Sequence, residues 1–65
     1  MSDLAKAAYT LADEIRDGKW NYVRGIHSEP VTRCPEIIDE LRRRAPGYSL
    51  EEYQKAIARG MFESR

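Results

Sequence analysis

Sixty-five residues allow one domain at most, and a chain this short buries only about 60% of the surface it exposes when unfolded. Eleven Lys and Arg balance eleven Asp and Glu, so no global field draws the chain to nucleic acid or to an acidic membrane. An apolar fraction of 42% is too high for a disordered tail, and the single cysteine, Cys34, excludes an internal disulfide.

In chain order, residues 2–17 read as the first helix. Leu4, Ala8, Leu11 and Ile15 recur at i, i+4, i+7 and i+11, which lines one helical face. Ser2 suits an N-cap and Asp3 suits the positive helix end. Gly18 can take the left-handed residue that ends the helix. Asp13, Glu14 and Asp17 crowd the negative end, offset only in part by Arg16 and Lys19. The stripe also has coiled-coil spacing beside Ala5, Ala7 and Ala12, which keeps a homodimer through this helix open.

Residues 19–34 connect the first helix to the second. Sixteen residues without structure of their own would be unusual in a compact domain. The alternation in "WNYVRGI" allows a strand paired with "VTRC", which would make the fold α+β with a short β-hairpin. No Asn-Gly or Asp-Gly turn supports that pairing, and Gly25 and Pro30 weaken it. The favoured reading is an ordered irregular connection, with Trp20, Val23 and Ile26 plugging the core and Tyr22 and Arg24 facing outward.

Residues 35–45 form the second helix. Pro35 suits the first turn, where its missing N–H has no partner to lose. Ile37, Ile38, Leu41 and Ala45 make the apolar stripe. Acids open the helix and arginines close it, in line with the macrodipole. Asp39–Arg43 and Glu40–Arg44 are acid-first i, i+4 pairs. Pro46 and Gly47 stop it. Residues 50–62 form the third helix, opened by a Ser49-x-x-Glu52 capping box with a Tyr48–Tyr53 staple. Its stripe is Leu50, Tyr53, Ile57 and Met61. Gly60 either ends it or is tolerated inside it at about 1 kcal/mol. The expected fold is therefore mainly α, a single three-helix domain over 1–65 with an ordered 19–34 connection.

The residues that could carry chemistry are few. His27 and Cys34 are the only soft metal ligands, against the four that a structural zinc site needs. A Cys–His nucleophile pair needs an orienting group and a cleft, and Cys34 before Pro35 reads as a small half-buried residue at a helix start. The carboxylates sit beside lysines and arginines, as on a solvated face, and no glycine-rich phosphate loop is present. No enzyme, metal or cofactor is expected.

Two sets of residues remain as binding candidates. Arg42, Arg43 and Arg44 could meet phosphates, in a helix–turn–helix outline formed by the second and third helices. Against DNA reading, Arg43 stands where the two helices of such a unit touch. Glu51 and Glu52 open the would-be recognition helix. The other set is Trp20, Tyr22 and Arg24, residue types enriched at protein-interface hot spots. The favoured partner is therefore another protein, with nucleic acid through the arginines as the alternative. No stretch is long enough to span a bilayer, and a lone thiol fits a reducing cytoplasm.

The strings "LADEIRDGKW", "SEPVTRCPEIIDELRRR" and "PGYSLEEYQKAIARGMF" resemble small uncharacterised proteins of enterobacterial prophages. The resemblance spans most of the chain. It implies a bacterial or phage cytoplasmic origin and an accessory, regulatory role, and it assigns a role to no residue.

Overall fold

A computed structural model describes residues 2–64. Three helices follow in order: α1 (Asp3–Arg16), α2 (Pro35–Arg44) and α3 (Leu50–Glu63), with a 3-10 turn at Val31–Arg33 ahead of α2. Each helix starts where its local chemistry directs. Ser2 Oγ accepts from the Ala5 amide at 3.1 Å. Pro35 stands in the first turn of α2. At α3 the capping box is complete: Glu52 N–H donates to Ser49 Oγ at 3.1 Å, and Ser49 N–H to Glu52 Oε1 at 3.0 Å. The staple beside it places the Tyr48 and Tyr53 rings edge to face, 5.9 Å apart.

Leu4, Ala8, Leu11, Ala12 and Ile15 from α1, Ile37, Ile38, Leu41 and Ala45 from α2 and its end, and Tyr53 and Ile57 from α3 form one buried cluster. Burying such side chains is the main term that offsets the chain entropy of so short a protein. α1 packs most extensively on α3. The Leu4–Ile15 stripe, the face on which a homodimer was kept open, is thereby buried within the chain.

The α1–α3 contact turns on Gly60. This glycine is inside α3, so it does not end the helix. A Cβ there would stand 2.7 Å from the Ala8 carbonyl oxygen, so only glycine lets the two backbones approach this closely. Its position also corrects the expected apolar face of α3. At 100° per residue, Tyr53, Ile57 and Gly60 centre the buried face, and Leu50 and Met61 lie roughly 50° and 70° to one side. Leu50 is accordingly 53% exposed, and Met61 is half-buried.

Among the described residues no strand forms, which overturns the hairpin alternative for 19–34. The physical reason is local. The amides of this segment are used in consecutive turns: Asn21 to Gly18 O, Val23 to Trp20 O, Ile26 to Val23 O, and both Ser28 and Glu29 to Gly25 O. Gly18 and Gly25 take φ of 87° and 79°, the left-handed region open to glycine. The turns place Val23 and Ile26 in the core at 7% and 6% exposure and leave Tyr22 and Arg24 outside, as their sequence positions suggested. Cys34 is more deeply placed than expected, at 6% exposure. Burial pushes its thiol pKa up, and the Glu36 carboxylate, which accepts from Sγ at 3.1 Å, adds to the shift. Among the described residues no helix is long and apolar enough to cross a membrane.

Candidate functional site

One residue from each candidate set, Trp20 and Arg44, meets at a single carboxylate. Glu14, in the last turn of α1, receives the Trp20 indole N–H on Oε1 at 3.1 Å. Arg44, from the end of α2, grips the same group with both terminal nitrogens, at 2.9 Å to Oε1 and 3.1 Å to Oε2. The Arg44 Nε turns to Glu40 Oε2 at 2.6 Å. Glu14 therefore has partners that make good its unfavourable place near the helix end. The Arg44 hydrogen bonds, with a lesser share from Trp20, hold its pKa below the ordinary carboxylate value against a smaller opposing effect of burial.

This carboxylate fixes the indole. Trp20 is half-buried, packed against the core from the connection. Its ring stacks on Tyr22, with centroids 5.7 Å apart and planes at 27°. Tyr22 itself is 77% exposed. Across the base of the connection, Asn21 Oδ1 accepts from His27 Nε2 at 2.6 Å. The result is an outward aromatic held from beneath by a tethered aromatic, with the exposed Arg24 two residues further along the chain.

The arginine run is not an open basic patch. Arg42 donates to Asp39 at 3.3 Å and lies over the Tyr53 ring, 5.5 Å from its centroid, a cation–π arrangement. Arg43 is paired with Glu40 through two nitrogens, which holds the Glu40 pKa low with help from Arg44. The expected Asp39–Arg43 pair does not form: Asp39 takes Arg42 and Glu40 takes both Arg43 and Arg44. All three guanidiniums thus have intramolecular partners. At the start of α3, Glu52 caps Ser49 and Glu51 pairs with Lys55 at 3.2 Å.

The structure therefore joins Trp20, with Tyr22 stacked on it, and Arg44 through Glu14, links Arg43 to Arg44 through Glu40, and leaves Arg42 paired with Asp39. Glu14 is the member of this group that sequence reasoning missed. A glutamate near a helix C-terminus was its one signal, since an acid placed there calls for a cation from elsewhere. Among the described residues no group of three or more His, Cys, Asp or Glu converges as a metal site would require, and no buried side-chain polar atom lacks a hydrogen bond. No protein-family model, no curated protein and no solved structure matches this chain.

Proposed function

We propose that the chain is a small, non-catalytic interaction module that binds another protein through the face made by Trp20, Tyr22 and Arg24. The observation that supports this reading is the exposure of Tyr22, 77%, on a ring stacked against Trp20, whose indole is itself tethered to Glu14. An exposed aromatic with fixed orientation loses little conformational freedom on binding, and aromatic and arginine side chains supply most of the energy at protein interfaces. The resemblance to small prophage proteins adds an accessory, regulatory role in a bacterial cytoplasm, in keeping with a lone buried thiol.

Affinity capture from an enterobacterial lysate tests the reading. Wild-type protein should retain a protein in stoichiometric amount. A Tyr22→Ala/Arg24→Glu variant with an unchanged circular dichroism spectrum should lose it. Equal capture by the two proteins, or capture by neither, would refute this face as the binding surface.

A further inference from the structure

A shallow groove lies where the 3-10 turn, α2 and the first turn of α3 meet, lined by Arg33, Pro35, Ile38, Arg42, Leu50 and Gln54 among others, with a volume of about 280 Å³. Its walls are tied together: Gln54 Nε2 donates to the Thr32 carbonyl at 3.1 Å, which joins α3 to the 3-10 turn. The apolar lining is Pro35, the edge of Ile38, and Leu50 at 53% exposure. A single exposed leucine is ordinary on a protein surface. Here it stands off the buried face of its own helix and beside two further apolar groups.

The charge of this region has one sign in excess. Arg33 is exposed and has no carboxylate partner among the described residues. Arg42 and Asp39, also on the groove, pair only across an open surface, with side chains 51% and 72% exposed. Past Arg33 a second depression continues the groove to Lys55, which is paired with Glu51. Among the described residues that line the groove, Arg33 is thus the one charge without an opposite partner, and it stands beside the apolar floor.

The geometry points to this groove as the docking site for a short segment of a partner protein that carries a large apolar side chain next to an acidic residue. The apolar side chain would cover Pro35, Ile38 and Leu50. The carboxylate would pair with Arg33, whose fork matches two oxygens at once. The groove is near the lower end of ligand-pocket volumes, roughly 300 Å³, which suits one anchoring side chain rather than a cofactor. It shares no residue with the Trp20–Tyr22 face, so it stands or falls apart from the function proposed above.

The test uses the full chain and displayed random twelve-residue peptides, followed by amide shift mapping with the enriched peptides. The expected peptides carry Asp or Glu next to Leu, Ile or Phe. They should shift the amides of Thr32, Arg33, Ile38, Leu50 and Gln54. Leu50→Glu, which adds an acid to the favourable first turn of α3, and Arg33→Glu should each weaken binding at least tenfold, and Tyr22→Ala should leave it unchanged. If Leu50→Glu loses helicity, the exposed Arg33→Glu decides alone. No enrichment, enrichment of basic peptides, or shifts centred elsewhere would overturn the inference. So would a dimer of the wild-type chain in sedimentation that Leu50→Glu dissociates, because a second copy would then be the occupant.

Discussion

Arg44 closes a two-toothed bridge onto Glu14, thirty positions earlier in the chain, and the same carboxylate holds the Trp20 indole. One acid on α1 thus ties α2 and the connection to the helix that carries it. The Arg44 and Glu14 side chains are only 24% and 22% exposed, whereas Arg43 is 72% exposed. Water screens the second of these far more. Arg44→Met should therefore lower the unfolding free energy by about 1.5 kcal/mol, the low end for hydrogen bonds to charged groups. Arg43→Met should change it far less, because water screens so exposed a guanidinium. Urea titration followed by Trp20 fluorescence checks both, and equal effects would remove the special standing of the Arg44 bridge.

The same bridge predicts how stability follows pH. Glu14 and Glu40 are held below the ordinary glutamate value by their arginine partners, chiefly Arg44 for the first and Arg43 for the second. A folded pKa below the unfolded one gives stability that is complete above the unfolded value, about 4.3 for glutamate. That stability is lost as pH falls through the folded values. The thermal midpoint should hold steady from neutral pH down to about 5 and fall below about 4. In Glu14→Gln the neutral midpoint should be lower and the acid drop smaller. An acid profile identical to wild type would show that Glu14 does not carry this dependence.

Gly60→Ala sets two effects against each other. Alanine favours a helix interior over glycine by about 1 kcal/mol. The added Cβ, however, meets the backbone of Ala8 at 2.7 Å, which a side-chain rotation cannot relieve. Overpacking of this kind costs about 1–3 kcal/mol, and a clash with main chain belongs at the upper end. The expected net effect is destabilisation of about 1–2 kcal/mol, read by chemical denaturation. A stabilised variant would mean that α1 and α3 do not approach this closely.

Tyr53 is fully buried, and its hydroxyl donates to the Ala45 carbonyl at 2.7 Å. Tyr53→Phe keeps the ring, the staple with Tyr48 and the Arg42 contact, and deletes only the hydroxyl. It leaves a buried carbonyl unsatisfied and should destabilise by about 1–3 kcal/mol. An unchanged denaturation midpoint would show that the carbonyl finds another donor.

Because the arginines of α2 are engaged within the chain, duplex DNA should bind more weakly than micromolar at physiological salt and without sequence preference. Fluorescence titration of labelled duplexes measures this. Arg42→Ala/Arg43→Ala, which spares the Arg44 bridge, is the informative variant. Tight binding to one sequence that this variant abolishes would favour the nucleic-acid alternative over a protein partner.

The limits of each helix were legible in the sequence because their causes act within a turn. Ser2, Pro35, and the Ser49–Glu52 box each satisfy or spare an amide no more than three residues away, and Gly18 supplies the backbone that ends α1. The inward turn of Val23 and Ile26 and the outward turn of Tyr22 and Arg24 also followed from local pattern. Only the tertiary structure decided the rest. A period of 3.6 residues allows neighbouring choices of buried face on α3, and the close approach of α1 at Gly60 selected the one that leaves Leu50 outside. Of the two pairs expected on α2, Glu40–Arg44 forms and Asp39–Arg43 does not, since Asp39 takes Arg42 and Glu40 also takes Arg43. Arg44 reaches Glu14 only because packing of the core sets the end of α2 against the end of α1, a distance in sequence that no local rule spans.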